Sequence, residues 1–160
     1  MASSSRSRRE PREIERKFLV RSVPVNLRRY RSSPIEQGYF VGLRDGTQMR
    51  LRKARNKYWL ACKRGTGVAR REWEIALNRR QFEKLWPATK GRRLRKRRYL
   101  IPWRGLTIEM DVYGGSNRGL VVAEVEFPNV RAWRAFVGPD WLGREVSGRA
   151  RYSNVLLARD

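Results

Sequence analysis

The sequence predicts a mainly β fold of the α+β class, an eight-stranded antiparallel β-barrel with helices packed on the outside. Short segments in which apolar and charged residues alternate recur along most of the chain, as expected of strands. Turn signals such as Arg44-Asp45-Gly46 and Gly114-Gly115-Ser116-Asn117 separate these segments. Few stretches have helical spacing. Many short strands with few helices favour a closed or nearly closed antiparallel sheet.

The alternating segments place the strands in order along the chain. We expect them near residues 12–20, 36–43, 48–54, 58–64, 69–78, 93–101, 106–113 and 120–127.

Two helices and a short C-terminal helix complete the predicted elements. Apolar residues recur every three or four positions near 79–87 and 129–137. Asn129 suits the N-cap of the second helix, and Gly138-Pro139 suits its end. The tail from Tyr152 to Ala158 predicts the last short helix.

Length and charge suggest one domain with an affinity for polyanions. The chain has 160 residues and a net charge of +23, from 38 basic and 15 acidic side chains. Residues 1–9 predict a disordered basic tail, and residues 10–160 a single domain. The charge would attract nucleic acid, polyphosphate or nucleotides. A genome biased towards Arg codons explains the excess equally well.

The residue types exclude several chemistries. The chain contains no histidine, which excludes Ser-His-Asp and Cys-His catalysis and any His-ligated zinc. Its single cysteine, Cys62, can form no internal disulfide and fits a packed apolar position. Metal chemistry would therefore use oxygen ligands, which suit Mg²⁺ or Mn²⁺. With no signal peptide and no long apolar run, we expect a cytoplasmic protein without a membrane partner.

Charged side chains repeat at every second residue of the predicted strands, so they share one face. Eight of the 15 carboxylates form four such pairs: Glu13 with Glu15, Glu72 with Glu74, Glu109 with Asp111, and Glu124 with Glu126. The matching basic residues are Lys17, Arg50, Arg52, Lys63, Lys96 and Arg98. The intervening positions are mostly apolar.

Two explanations fit this pattern. An ordinary amphipathic sheet would turn its charged face to water. However, the acids cluster by strand, and like charges on neighbouring strands are destabilising. A cation among the acids and an anion among the bases would relieve this repulsion. Taken together, the strands favour a shared interior site for metal and polyanion.

The segment Glu13-Ile14-Glu15-Arg16-Lys17, followed by apolar residues, resembles the E-x-E-x-K signature of the CYTH domain, or triphosphate tunnel metalloenzymes. The resemblance extends over about residues 10–158 and is closest to the short bacterial branch. Further matches occur in order at Gln37-Gly38-Tyr39, Arg50-x-Arg52, Lys63, Glu72-x-Glu74, Lys96-x-Arg98-Tyr99, Glu109-x-Asp111 and Glu124-Val125-Glu126-Phe127. The segment Ser147–Ala150 departs from the family, which usually has an acid there.

The resemblance implies an eight-stranded tunnel and a set of site residues. By position, the metal ligands would be Glu13, Glu15, Glu109, Asp111, Glu124 and Glu126. The phosphate-binding residues would be Lys17, Arg50, Arg52, Lys63, Lys96 and Arg98. The catalytic group would comprise Lys17, Tyr39, Glu72 and Glu74, with Tyr39 positioning Lys17 and the two acids near the hydrolytic water or a second metal.

Family members hydrolyse inorganic triphosphate, thiamine triphosphate or nucleoside triphosphates, or cyclise ATP, with Mg²⁺ or Mn²⁺. We therefore expect a metal-dependent triphosphatase, most simply of inorganic triphosphate, with a triphosphate, nucleotide or polyphosphate as its partner. An adenylate cyclase of the same family and a non-catalytic polyphosphate or nucleic-acid binding module are the alternatives. The excess charge also allows non-specific nucleic-acid binding. We expect the protein to be a monomer or a homodimer.

Overall fold

A computed structural model describes residues 14–24, 26–40, 47–64 and 71–159. Glu13, the predicted tail at residues 1–9 and the predicted turn at residues 44–46 lie outside these ranges. The described strands are β1 (Ile14–Val20), β2 (Arg31–Tyr39), β3 (Gln48–Ala54), β4 (Lys57–Arg64), β5 (Arg71–Leu77), β6 (Arg93–Trp103), β7 (Leu106–Tyr113), β8 (Val121–Phe127) and β9 (Leu142–Glu145). The α-helices are α1 (Arg79–Leu85), α2 (Val130–Ala135) and α3 (Asn154–Leu157).

All described strands belong to one antiparallel sheet in the order β5-β4-β3-β2-β6-β7-β8-β1-β9. The mainly antiparallel prediction is therefore confirmed. Across the described ranges the sheet has nine strands rather than eight, and no hydrogen bonds join β5 to β9. The extra strand, β9, is short and contains Gly143. A Cβ there would lie 2.9 Å from the Leu19 carbonyl oxygen, so glycine permits the close approach of β9 to β1.

The second strand begins earlier than the sequence predicts. We expected it at residues 36–43, of which 41–43 lie outside the described ranges, whereas β2 spans Arg31–Tyr39. After Arg31, its residues Ser32-Ser33-Pro34 are typical of a turn. Pro34 pairs with Arg97 of β6, whereas the pairing of β2 with β3 begins only at Ile35. The missing N–H of Pro34 therefore removes no bond to β3.

The helix predictions agree with the structure apart from their ends. Helix α1 begins after a capping box formed by Asn78 and Gln81. Asn129 caps α2 by accepting a hydrogen bond from the Ala132 amide, as the sequence predicts. No helix within the described ranges is long and apolar enough to cross a membrane.

The outer face of the sheet carries the larger apolar core. Its buried residues are Phe18, Ile101, Ile108, Met110, Ala123, Val125 and Phe127. Partly buried residues that follow β8, among them Trp133 and Phe136, pack against them. Burying one such large side chain contributes about 1.5–3 kcal/mol. The apolar residues of β1, β6, β7 and β8 thus face outward under α2, and the alternate positions face inward.

A smaller apolar cluster closes part of the inner face at one end of the sheet. Tyr39, Leu94, Tyr113 and Val122 meet Ala158 there, and Val155 and Leu157 of α3 pack against them. The C-terminal segment therefore covers the end of the inner face where β2 and β7 finish and β6 and β8 begin.

Candidate active site

The inner face of the sheet surrounds a cavity of about 490 Å³, which is within the usual size range of small-molecule sites. Its lining residues come from β1 to β8 and from the C-terminal segment, so the sheet curves around it. They are Glu15, Lys17, Gln37, Tyr39, Gln48, Arg50, Arg52, Lys63, Glu72, Glu74, Arg98, Glu109, Glu124, Glu126, Ser153, Asn154 and Val155.

Twelve of the fifteen site residues predicted from the sequence line this cavity. Glu13 lies outside the described residues. The side chains of Lys96 and Asp111 have no exposed surface and form an ion pair behind the cavity wall, with Nζ 2.5 Å from Oδ2. Strand parity therefore identifies the inner face correctly, whereas it does not show how deeply these two residues are buried.

On β3, β4 and β5 the cavity has alternating acids and bases. The Arg50 guanidinium lies 2.9 Å from Glu72 and 3.9 Å from Glu74. Between Arg50 and Glu74, the opposing residue on β4 is Ala61. Because its side chain is a single methyl group, Arg50 reaches across β4 to the acids of β5.

The remaining charges on this side extend the same network. Lys63 pairs with Glu72 at 2.8 Å, and Arg52 pairs with Glu74 at 3.2 Å. The Arg52 guanidinium also lies over the Trp59 ring, 4.9 Å from its centroid. These contacts hold the bases apart at fixed positions, as simultaneous binding of several phosphate oxygens requires.

Arg98 is the centre of the opposite wall. Its Nε and Nη2 donate to the two oxygens of Asp111, each at 2.7 Å. It also forms ion pairs with Glu109 and, at 3.1 Å, with Glu124. Burial opposes its charge, but the ion pairs with Asp111, Glu124 and Glu109 raise the pKa of Arg98 well above its usual value. Arg98 is therefore a fixed positive charge on the cavity surface.

Lys17 enters the cavity from β1 and contacts the C-terminal segment. Its Nζ lies 2.7 Å from Glu124 and donates to the Tyr152 carbonyl oxygen at 3.2 Å. Burial lowers the pKa of Lys17, but Glu124 and Glu15 outweigh this effect and raise it above its ordinary value. Lys17 is thus protonated at neutral pH, when it can bind a phosphate oxygen.

The Tyr39 hydroxyl contacts residues of β2 and β3. It accepts a hydrogen bond from Gln37 at 3.1 Å and interacts with Arg50. Burial raises the pKa of Tyr39 to about 12, with Arg50 opposing this change. The described contacts of Lys17 are with Glu124 and Tyr152 rather than with Tyr39, so the positioning of Lys17 by Tyr39 stays a prediction.

Four carboxylates on β7, β8 and β1 occupy adjacent positions. Glu15 lies directly opposite Glu126, and Glu109 lies opposite Glu124. Glu124 and Glu109 are paired with bases, whereas neither Glu15 nor Glu126 has an ion pair within the described ranges. In those ranges no three carboxylates already converge as a metal site. Directly opposed, unpaired carboxylates are destabilising without a cation, and their oxygens suit Mg²⁺ or Mn²⁺.

The pKa shifts on this wall follow the same division of charge. Burial raises the pKa of Glu109, and Glu124 and Asp111 reinforce the effect against the opposing charge of Arg98. Burial also acts on Glu124, but Lys17, Lys96 and Arg98 outweigh it and hold its pKa well below the usual range. The two opposed acids therefore differ: Glu124 is firmly ionised, and Glu109 is the easier of them to protonate.

Five cavity residues were not among the predicted site residues. Gln37 and Gln48 share the inward parity of their strands and could have been found by it. Asn154 and Val155 begin α3, and Ser153 is its N-cap. The placement of this helix against the cavity depends on long-range packing, for which the sequence gives no local signal.

The curved antiparallel sheet and the opposed acids and bases inside it define a tunnel suited to a polyanion and a cation. An inorganic triphosphatase from Nitrosomonas europaea is 42% identical over 148 residues, covering 91% of this chain and 96% of that protein. An inorganic triphosphatase from Acetivibrio thermocellus is 34% identical over 151 residues, covering 93% and 94%. No family model matches the chain.

A solved structure gives the same result for the fold. The crystal structure of an inorganic triphosphatase, at 40% sequence identity, covers 92% of this chain and 95% of its own length with a TM-score of 0.71. The chain therefore belongs to the CYTH, or triphosphate tunnel, family, in the branch that contains these inorganic triphosphatases.

Proposed function

We propose that this protein hydrolyses inorganic triphosphate with the help of Mg²⁺ or Mn²⁺. The observation that carries the proposal is the cavity wall itself, where Lys17, Arg50, Arg52, Lys63 and Arg98 surround a space of about 490 Å³. The relatives named inorganic triphosphatase, at 42% and 34% identity, support the same substrate.

The basic residues bind and orient the phosphate chain. Triphosphate carries several negative charges, and the five bases can offset them from fixed positions around the cavity. In the free protein each of these bases is paired with an acid, such as Arg52 with Glu74. A bound triphosphate would replace carboxylates as the partner of some of these bases. The released carboxylates could then bind the cation or act on the attacking water.

The carboxylates of Glu15 and Glu126, with Glu124 and Glu109 beside them, suit the divalent cation. Such a cation, when bound, neutralises charge on the substrate oxygens. Asp111 is a poor candidate ligand because its side chain is fully buried and engaged by Arg98 and Lys96.

Glu74 is the best placed residue to act on the attacking water. Its side chain is 30% exposed, compared with 15% for Glu72. Its contacts with Arg52 and Arg50, at 3.2 and 3.9 Å, are longer than those of Glu72 with Lys63 and Arg50, at 2.8 and 2.9 Å. A carboxylate that can release Arg52 to the substrate can then accept a proton from water or orient it in line with the scissile bond.

The test is phosphate release from inorganic triphosphate, ATP and thiamine triphosphate, with Mg²⁺, with Mn²⁺ and with chelator, beside an assay for cyclic AMP. We expect metal-dependent release that is fastest from inorganic triphosphate. Cyclic AMP as the main product from ATP would instead indicate the cyclase. Tight triphosphate or RNA binding with no turnover under any metal would indicate a binding module and overturn the proposal.

A further inference from the structure

Asn154 is a cavity residue to which no role has been given. It begins α3 and lines the cavity between Ser153 and Val155. Two residues earlier in the chain, the Tyr152 carbonyl oxygen accepts a hydrogen bond from Lys17. Asn154 is therefore close in the chain to a contact of a phosphate-binding lysine, at the end of the cavity that α3 covers.

The Asn154 amide is fixed by a buried tyrosine. The Tyr113 hydroxyl, on a side chain only 3% exposed, donates to Asn154 Oδ1 at 2.5 Å. A side-chain amide has one acceptor oxygen and an NH₂ group with two donors. Because the oxygen is held by Tyr113, the group that remains for a ligand is the donor Nδ2.

The position of α3 is maintained from outside the cavity as well. Asn117 donates from Nδ2 to the Leu157 carbonyl oxygen at 2.6 Å. Val155 and Leu157 pack against the apolar cluster that contains Tyr113 and Val122. Asn154 thus sits on a wall supported by apolar packing and by the Asn117 hydrogen bond, while Tyr113 fixes its amide.

We propose that Asn154 is a substrate-binding residue whose Nδ2 donates to the terminal phosphoryl group of inorganic triphosphate, and that Tyr113 is its positioning residue. This inference rests on the proposed function. Lys17 and Arg98 are drawn to carboxylates in the free protein, whereas a neutral amide has no charge to draw it to Glu124. Asn154 is therefore available before the substrate arrives.

The same placement makes Asn154 a determinant of how many phosphates a substrate can have. In this proposal the terminal phosphoryl group lies against Ser153, Asn154 and Val155, which line the cavity at the end where α3 packs on the apolar cluster. A fourth phosphate would have to displace this wall, so tetraphosphate and longer polyphosphates bind less well than triphosphate.

Three variants separate ligand binding from wall support. Asn154→Asp keeps the acceptor for Tyr113 but replaces the donor with a negative charge, and Asn154→Ala removes both groups. Asn117→Ala, the matched control, weakens the support of α3 without changing a cavity residue. The measurements are KM and kcat for triphosphate and tetraphosphate, with thermal unfolding of each variant.

We expect KM for triphosphate to rise about tenfold in Asn154→Ala, the effect of losing one hydrogen bond to a charged group, and further in Asn154→Asp. Asn117→Ala should change KM less than twofold. Relative to triphosphate, kcat/KM for tetraphosphate should rise in Asn154→Ala. As a single change, Tyr113→Phe should raise KM. Combined with Asn154→Ala it should raise KM no further, because the two residues act as one unit.

An unchanged KM in Asn154→Asp, or equal KM changes in Asn154→Ala and Asn117→Ala, would overturn the role of Asn154. These outcomes leave wild-type turnover intact, so the proposed function would survive them. If the wild type released no phosphate from triphosphate, the proposed function would fail. Calorimetric binding of triphosphate to wild type and Asn154→Asp would then still decide whether Asn154 binds the terminal phosphoryl group.

Discussion

Asp111 accepts two parallel hydrogen bonds from Arg98, from Nε and from Nη2, each 2.7 Å long. Such a two-point contact fixes the plane of the guanidinium as well as its position. Lys96 binds the same carboxylate from the buried side at 2.5 Å. Of these three residues only Arg98 lines the cavity, so Asp111 determines how Arg98 faces a bound phosphate.

Replacing Asp111 should affect stability and activity in separable ways. Asp111→Asn should lower the free energy of unfolding by about 3–5 kcal/mol, because Lys96 loses its partner in the interior. Replacing both members, as Lys96→Met with Asp111→Leu, should restore part of the stability, because Arg98 keeps Glu109 and Glu124 as partners. It should not restore kcat/KM, because Arg98 remains unoriented. Urea unfolding and triphosphate turnover measure the two effects. Full activity in the double variant would show that Asp111 does not orient Arg98.

The charged inner face could be predicted from sequence because parity along a strand is a local property. Parity could not separate Arg98, at the cavity surface, from Lys96, which is buried two residues away. The contact of Arg50 with acids two strands distant depends on the small Ala61 between them, and this requires the register of three strands. The placement of Asn154 likewise depends on packing between the two ends of the fold.

Arg52 should contribute to both binding and turnover. Its guanidinium lines the cavity and is shared between Glu74 and the Trp59 ring. Arg52→Ala should raise KM and lower kcat, reducing kcat/KM for triphosphate by about 10- to 100-fold, as expected when a hydrogen bond to a charged group is lost. Arg97→Ala, an exposed arginine outside the cavity, is the control. Unaltered kinetics in Arg52→Ala would remove Arg52 from the site.

The departure from the family at Ser147 contributes to a pH-dependent contact. Arg16 donates to Glu145 at 2.6 Å, and the Ser147 hydroxyl donates to the same carboxylate at 2.6 Å. The bond from Arg16, aided by Ser147 and opposed by burial, lowers the pKa of Glu145 below its usual value. A group with a lowered folded pKa stabilises the protein above its unfolded pKa and loses this effect as pH falls through the folded value.

Glu145→Gln should therefore lower Tm by a constant amount above about pH 5, where the unfolded carboxylate is ionised. The difference from wild type should shrink as the pH falls below the ordinary pKa of glutamate. Thermal unfolding over this range, with Asp140→Asn as the control at an exposed carboxylate just before β9, measures the effect. A difference in Tm that does not change with pH would contradict the assignment to ionised Glu145.

Replacing either Glu15 or Glu126 should raise the stability of the metal-free protein and lower the turnover of the metal-bound one. The two residues are directly opposed on β1 and β8, and neither has an ion pair in the part of the chain that the structure describes. Without metal, Glu15→Gln or Glu126→Gln should raise the free energy of unfolding by about 0.2–1 kcal/mol by removing like-charge repulsion. With Mg²⁺ or Mn²⁺, these variants should lose both turnover and the stabilisation that a ligand gives the folded state.

The measurements for this pair are thermal unfolding with and without metal and phosphate release from triphosphate. Glu36→Gln provides the control. Glu36 is an exposed carboxylate of β2 and lies on the opposite face of that strand from the cavity residues Gln37 and Tyr39. This variant should retain the metal-induced rise in Tm. If Glu15→Gln kept wild-type rates at saturating Mg²⁺, Glu15 would not be a metal ligand. If neither variant gained stability without metal, the opposed carboxylates would not be repelling each other, and the physical basis for placing the cation between them would be lost.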